Sequence, residues 1–269
     1  MTAGAGSGGS SRLRVERRGD LLFATLDDPT RANALSPALA ADLTALYRRD
    51  LRAEGVRAVL LAGAGKHFCA GADLEHLAAL QAASPEENRR DSGRLRDLFE
   101  AILRQEALTL ALVQGSCVAG GCGLATACDF VVAADDARFL YSEVRIGFVA
   151  ALVATYLPLR VRGSDLRELL LAPEFVTAPR ALEIGLVNRV VPRAELAAEG
   201  ERWAGEILAR ASSESIARTK RLLLEVLGRP LEERLDRAAE ANAAARATED
   251  CRHGIATFLA TKAPPRWRE

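Results

Sequence analysis

Residues 118–129 read VAGGCGLATACD and place three glycines, Gly120, Gly121 and Gly123, between two apolar runs. Glycine inside a helix is about 1 kcal/mol less favourable than alanine. Three glycines in this stretch therefore indicate a structural or functional requirement for glycine. Small residues let the backbone come close to a ligand, and the first N–H groups of a helix have no partner within it. Such groups bind anions, including a carbonyl oxygen that becomes negative during a reaction. The stretch predicts a strand-to-helix turn with N–H groups facing a ligand, and tight strand–helix packing is the alternative.

A second stretch, residues 67–74, has the same design and reads HFCAGADL. Small residues again lie between an apolar run and the start of a predicted helix, and tight packing is again the alternative. Neither stretch matches the glycine patterns of dinucleotide-binding or phosphate-binding loops. The sequence therefore does not indicate a nucleotide site.

Strand and helix patterns alternate through the first part of the chain. Residues 12–26 predict two short strands around Gly19. Ser36 is expected to cap a helix with apolar spacings of three and four. Continuous apolar runs such as residues 57–63 predict buried strands. This alternation predicts βαβ units, and hence an α/β protein with sheets covered by helices.

Two features depart from this alternation. Residues 84–92 are polar and predict a loop, followed by a helix from about Asp91 to Gln105. From Ser164 onward the pattern is almost entirely helical. We therefore expect three parts, namely a disordered Gly/Ser-rich leader at 1–11, a core domain at 12–195 and a C-terminal helical region at 196–269.

Composition narrows the class of protein. The 269 residues carry 36 basic and 36 acidic side chains, so no global charge recruits nucleic acid or an anionic membrane. No apolar run reaches the roughly 18 residues of a membrane span, and no secretion signal is seen at the N-terminus. Five cysteines, an odd number, fit reduced thiols and a cytoplasmic location. Three of them lie in one apolar stretch without histidine, so a metal site is not expected.

Four segments together resemble the crotonase superfamily, the enoyl-CoA hydratase/isomerase family. They are HFCAGADL at 67–74, GSCVAGGCGLATACDFVVAADDARFLYSEVRIG at 115–147, NRVVP at 188–192 and TEDCRHGIATFLATK at 248–262. The resemblance implies a crotonase-like spiral of ββα turns with a C-terminal helical trimerisation region. It also implies a homo-trimer or homo-hexamer, and an acyl-CoA thioester substrate. No separate cofactor is implied, because coenzyme A arrives as part of the substrate.

The resemblance also assigns catalytic roles. The backbone N–H groups of Ala72 and Gly120 would bind the thioester oxygen in an oxyanion hole. Family hydratases commonly use two glutamates, and the second falls on Glu143. The first falls on Gly123, so the usual two-glutamate mechanism is in doubt here. Without the resemblance, Glu143 would be interpreted as a solvated surface acid or a charge at a helix start.

One carboxylate can still serve several functions. Syn addition of water puts both new bonds on one face, where Glu143 could exchange both protons. The same carboxylate could shuttle a proton between two carbons, as in a Δ3-Δ2 enoyl-CoA isomerase. A non-catalytic acyl-CoA-binding or RNA-binding protein of the same fold is a further alternative, although zero net charge makes nucleic acid a less favoured partner.

A narrower resemblance concerns the substrate. Residues 121–153 are similar to bacterial members assigned to methylglutaconyl-CoA hydration in leucine degradation. This implies a short, branched and carboxylated acyl-CoA. Glycine at 123 is then expected to remove a negative charge and to free volume beside the substrate carboxylate, with Arg145 as a candidate partner for that carboxylate. A salt bridge within the protein is the alternative for Arg145.

Further substrate-binding positions follow from the same resemblance. Arg31 falls where family members often place a basic residue near the phosphates of coenzyme A. Lys262, after Phe258, falls where a residue often reaches coenzyme A from a neighbouring subunit. Both charges could equally be solvated. The remaining predicted substrate-binding positions lie in the two turns: Ala70, Asp73, Leu74 and Gly123.

Overall fold

The computed structural model describes residues 12–268, apart from the side chain of Leu74, so the predicted leader at 1–11 lies outside the described residues. The strands are β1 (Leu13–Arg18), β2 (Leu21–Leu26), β3 (Ala58–Gly63), β4 (Leu108–Val113), β5 (Ser116–Val118), β6 (Phe130–Ala134), β7 (Arg138–Leu140), β8 (Val176–Thr177) and β9 (Arg189–Val191). The helices are α1 (Pro37–Tyr47), α2 (Leu74–Leu80), α3 (Pro85–Arg104), α4 (Gly120–Ala127), α5 (Gly163–Leu171), α6 (Ala178–Glu183), α7 (Leu196–Arg210), α8 (Ser213–Glu225), α9 (Leu231–Arg246) and α10 (Glu249–Thr261).

The strands form two sheets. The larger has the order β1-β2-β3-β4-β6-β9, in which only the β1–β2 pair is antiparallel. The smaller has the order β5-β7-β8, and its β5–β7 pair is parallel. Helices connect the parallel strands of the larger sheet, so the predicted α/β class is confirmed.

Both faces of the larger sheet are buried, as expected for parallel strands covered by helices. Alternate side chains of β3 enter different apolar clusters: Val59 and Leu61 pack in one cluster, and Leu60 packs in the other. The first cluster includes α1, α3 and α4, and the second includes Leu208 of α7. The sheet is thus a rigid centre on which the turns that follow its strands are mounted.

The predicted loop at 84–92 is wrong, because α3 already begins at Pro85. Ser84 accepts a hydrogen bond from the Glu87 N–H, and the Glu87 carboxylate accepts one from the Ser84 N–H. This reciprocal capping box starts the helix, and proline is well tolerated at the first helical position. The polar residues are therefore the solvent face of a helix of 20 residues.

The C-terminal helices leave apolar side chains uncovered. α7 packs on the sheet, whereas α9 and α10 bury no residue within the described chain. The exposed apolar side chains on these two helices are Leu231, Leu235, Ile255, Phe258 and Leu259. The proposed boundary between core and helical region at residue 196 stays a prediction. Within residues 12–268, no helix has the length and apolar character needed to cross a bilayer.

Candidate active site

Three chain segments run side by side and end together. Cys69 forms a parallel bridge with Cys117 of β5, and Val118 of β5 lies opposite Leu140 of β7. The Val118 N–H donates to the Cys69 carbonyl at 3.0 Å. Because the three segments are parallel, the residues that follow them leave the sheet at one edge, where α/β proteins commonly bind ligands. The register thus brings together the turn at 70–73, the start of α4 and Glu143.

The first turn depends on glycine at position 71. Gly71 has φ +86°, and a Cβ there would lie 2.7 Å from the Val118 carbonyl oxygen. The Gly71 carbonyl accepts a hydrogen bond of 2.8 Å from the Leu35 N–H. This hydrogen bond fixes the backbone just before Ala72. Within residues 12–268, no atom accepts a hydrogen bond from the Ala72 N–H. The first predicted donor is therefore available to a ligand.

The second turn contains a strained residue. Ala119 has φ 46° and ψ −116°, a region that side chains other than glycine rarely occupy. Its N–H donates to the Leu140 carbonyl at 2.7 Å, and its carbonyl accepts the Gly123 N–H at 3.1 Å. These bonds hold the residue before Gly120, whose N–H opens α4 and has no acceptor in the described part of the chain. Each predicted donor thus follows a residue with positive φ.

Gly121 joins the two turns. A Cβ on Gly121 would lie 2.5 Å from the Cys69 carbonyl oxygen and 2.9 Å from the Cys69 Cβ. No side chain fits at that distance. Gly121 therefore serves close packing, and this contact sets the separation between the two turns.

Glu143 begins a short 3-10 helix, Glu143–Ile146, directly beyond β7. The residue is 9% exposed, and its Oε2 is buried with no hydrogen-bond partner among the described residues. Burial raises the pKa of Glu143, because desolvation disfavours the charged form, while a hydrogen bond from its own backbone N–H acts in the opposite direction. Within residues 12–268 no cation forms a salt bridge with it. A buried carboxyl group with an unused oxygen is suited to exchanging protons with a ligand.

Phe99 of α3 occupies the space in front of Gly123. A Cβ on Gly123 would lie 2.6 Å from Cζ of the Phe99 ring. Tyr156 holds this arrangement, because its hydroxyl donates to the Gly123 carbonyl at 3.0 Å and its ring meets Phe99 edge-on at 6.0 Å. The expectation that Gly123 frees volume is therefore wrong. The sequence contains no signal for the residue that Phe99 faces, because this contact depends on how α3 packs on α4.

Residues 16–269 match the protein-family model described as "Enoyl-CoA hydratase/isomerase". The chain belongs to this family. The crystal structure of an enoyl-CoA hydratase from Mycobacterium smegmatis has a TM-score of 0.87 to this chain, at 33% identity, and the match covers 95% of this chain and 98% of that one. The resemblance to the crotonase superfamily and its fold is thereby confirmed.

Two relatives add detail. A Thermus thermophilus protein named "Putative enoyl-CoA hydratase" is 43% identical over 256 residues, which cover 95% of this chain and all of that protein. The (E)-benzylidenesuccinyl-CoA hydratase of Thauera aromatica is 31% identical, with 94% of this chain and 97% of that protein covered. The expectation of an enzyme of the enoyl-CoA hydratase type is confirmed at the level of the family. The narrower likeness to methylglutaconyl-CoA hydratases stays a prediction.

Arg31 and Asp73 of this hydratase/isomerase-family chain lie together beside the first turn. The Arg31 guanidinium contacts the Asp73 carboxylate at 3.1 Å and Glu75 at 2.7 Å. Asp73 also caps α2, because its Oδ1 accepts hydrogen bonds from the N–H groups of Glu75 and His76. Asp73 is thus engaged by its own helix, and a phosphate at Arg31 would compete with two carboxylates. Their roles towards a substrate stay predictions.

The other predicted positions differ in their surroundings. Ala70 is exposed and donates its N–H to the Ala32 carbonyl at 2.9 Å, next to the donor turn. Arg145 is exposed and donates to the Pro173 carbonyl, so the alternative of a salt bridge is wrong for the described residues. Phe258 and Lys262 lie on and just after α10, which packs against α8 and α9. The structure therefore groups Ala72, Gly120 and Glu143 at one edge, whereas Phe258 and Lys262 belong to a helix end that packs with α8 and α9.

Proposed function

We propose that this chain catalyses the reversible hydration of a 2-enoyl-CoA, with Glu143 as the single acid/base. The observation that carries this proposal is the unpartnered, buried Oε2 of Glu143 at the edge where two backbone donors are available. Family membership supports a thioester substrate, and the geometry supports these roles.

The N–H groups of Ala72 and Gly120 would form an oxyanion hole. Both would donate to the thioester oxygen and stabilise the negative charge of the enolate that forms there. Loss of one such donor typically lowers the rate about 10²–10³-fold. The strained backbone at Ala119 supports this role, because strain of this kind tends to be found at functional sites.

Glu143 would move both protons. The ionised carboxylate takes a proton from water while the water oxygen bonds to C3, and the electron pair of the C2–C3 double bond moves to the thioester as an enolate. The protonated Glu143 then returns that proton to C2, so that one water molecule has been added across the double bond. Burial raises the pKa of Glu143, which favours the acid form that this second step requires. One carboxylate on one face implies syn addition.

A second candidate function is a Δ3-Δ2 enoyl-CoA isomerase. It is favoured by the Phe99 ring in front of Gly123, which leaves no room on that side of α4 for a second carboxylate to position water. In this reaction Glu143 would take a proton from C2 and return it to C4, with the same enolate between the two steps. The two functions thus share their residues and differ in the use of water.

For the substrate, we propose a short, branched and carboxylated acyl-CoA such as 3-methylglutaconyl-CoA. Glycine at 123 removes a charge that would repel a substrate carboxylate by roughly 3 kcal/mol at ~6 Å and an effective dielectric constant of ~20. The exposed Arg145 guanidinium is bonded to a carbonyl and forms no salt bridge among residues 12–268, so it can pair with such a carboxylate. The name of the Thauera relative also denotes a substrate with a carboxylate, a benzylidenesuccinyl thioester.

The proposal also covers the oligomeric state, the cofactor requirement and the cellular location of the enzyme. Apolar side chains exposed on α9 and α10 support a homo-trimer or homo-hexamer, in which Lys262 would reach coenzyme A bound to a neighbouring subunit. Coenzyme A is part of the substrate, and no separate cofactor enters these steps. Five free cysteines support a cytoplasmic location. Zero net charge does not favour nucleic acid as a partner.

A panel of thioesters tests the proposed function. Crotonyl-CoA, 3-methylglutaconyl-CoA and a 3-enoyl-CoA are each incubated with the protein, and the absorbance of the conjugated thioester is followed. Loss of absorbance with the first two supports hydration, and a faster loss with the carboxylated substrate supports the substrate proposal. If absorbance rises with the 3-enoyl-CoA and does not change with the other two thioesters, the result favours the isomerase and overturns the hydratase.

A further inference from the structure

Phe99 packs against Gly123 of α4 and is almost fully buried, at 5% exposure. Its ring covers Gly123, which follows Gly120 by three residues on α4. Residues three apart are neighbours on one face of a helix. The ring therefore borders the same face of α4 that opens with the Gly120 donor.

The same ring also lines a cavity of about 370 Å³ between α3, the segment around residue 155 and α8. The apolar part of this cavity is formed by Phe99, Leu103, Leu152, Tyr156 and Leu224. Its lining also includes three charged and exposed side chains of α3, namely Arg96, Glu100 and Arg104. The cavity is thus apolar inside, open to solvent, and in contact with the ring that covers Gly123.

We propose that Phe99 is the specificity-determining wall between the thioester site and this cavity, and that it limits the enzyme to short acyl chains. The inference rests on the proposed function for the location of the thioester. On this proposal a chain of four or five carbons would end before the ring, whereas a longer chain would have to enter the volume that the ring fills. Removing the ring would join the site to the cavity and give a longer chain an apolar channel.

The size of the effect follows from the chemistry of apolar pockets. One extra or missing methylene group in such a pocket changes the ratio of kcat/KM between two substrates about 10–200-fold. Phe99→Ala is therefore expected to raise the ratio of kcat/KM for 2-octenoyl-CoA to that for crotonyl-CoA by at least ~10-fold. Phe99→Leu keeps an apolar side chain in the core and is expected to shift the ratio in the same direction by less.

Leu103→Ala is the matched control. Leu103 lies one turn further along α3 and lines the same cavity. Its removal enlarges the cavity but leaves the Phe99 ring in place, so the ratio is expected to stay at the wild-type value. Should Phe99→Ala fail to fold, Phe99→Leu alone decides the question by the direction of the shift.

Binding measurements test this inference independently of the proposed function, because saturated thioesters bind without being turned over. Dissociation constants of the saturated butyryl-CoA and octanoyl-CoA are measured by calorimetry for the wild type and the three variants. If the Phe99 variants bind octanoyl-CoA more tightly than the wild type and Leu103→Ala does not, the result supports Phe99 as the wall that limits chain length. This conclusion holds even if the wild type hydrates no substrate. An unchanged preference in folded Phe99 variants, or an equal shift in Leu103→Ala, would overturn it.

Discussion

At the scale of single residues, Glu143 combines burial, an unpartnered oxygen and a position beside two free backbone donors. Its carboxyl group costs stability when charged, because no described cation or hydrogen-bond donor other than its own N–H compensates for the lost solvation. If Glu143 served folding alone, replacing it with a neutral residue would make the folded chain more stable. The arrangement therefore suggests that stability is given up here for chemistry.

Glu143→Gln is expected to increase the free energy of unfolding at neutral pH. Because burial raises the pKa of Glu143 above its ordinary value of 4.5, the folded chain keeps the proton to a higher pH than the unfolded chain does. The stability that this carboxyl group contributes is fully present below the unfolded pKa and is lost as pH rises through the folded pKa. The advantage of the variant is thus expected to grow as pH rises from the ordinary pKa of 4.5 through the higher pKa of the folded chain.

Denaturant unfolding at several pH values measures this difference. Glu174→Gln is the control, because Glu174 is an exposed glutamate and its replacement is expected to leave stability nearly unchanged at every pH. A difference between Glu143→Gln and the wild type that does not vary with pH would show that the carboxyl group is not the cause.

At the scale of elements, local signals predicted some helices and missed part of another. Ser36 and the apolar spacing after it predicted α1, and Ser36 indeed accepts a hydrogen bond from the Leu39 N–H. The first turns of α3 differ from the predicted loop, because their polar residues resemble a loop while the capping box at Ser84 starts a helix there. Propensity and capping act locally, so they are visible in a sequence when each is considered.

The packing of α3 on α4 could not be predicted in the same way. Phe99 and Gly123 are 24 positions apart, and their contact depends on how two helices are placed on the sheet. Ala72, Gly120 and Glu143 were predicted only through the spacing of the family's motifs, and their catalytic roles stay predictions. The ring that covers Gly123 is a tertiary feature, which is why the expected free volume was wrong.

Ala119→Gly tests the strain at the start of α4. Glycine accepts φ 46° without a clash, so removing the methyl group relieves strain of about 1–3 kcal/mol, offset by roughly 0.5–1 kcal/mol of backbone entropy. The free energy of unfolding is therefore expected to stay equal or to rise. Ala127→Gly, within the same helix and without a positive φ, is the comparison and is expected to cost about 1 kcal/mol or more. Equal losses in both variants, measured by denaturant unfolding, would remove the argument from strain.

At the scale of the whole molecule, the uncovered apolar side chains of α9 and α10 predict self-association. Light scattering at micromolar concentration is expected to give the mass of a trimer or a hexamer of the 28.8 kDa chain. Phe258→Asp would place a charge on the apolar face of α10 and is expected to weaken the assembly. Glu249→Gln, at the start of the same helix, is the control and is expected to leave the mass unchanged. A monomeric wild type would contradict the assembly and the role of Lys262 across it.

The central claim is that Glu143 is the single acid/base of a hydration reaction, and turnover of crotonyl-CoA by Glu143→Gln tests it most directly. Glutamine keeps the size and polarity of the side chain but cannot exchange a proton. We expect kcat to fall at least ~10²-fold, the usual contribution of a general acid/base, with little change in the affinity for butyryl-CoA, while Glu174→Gln keeps wild-type turnover. Near-wild-type turnover by a folded Glu143→Gln variant would contradict the claim.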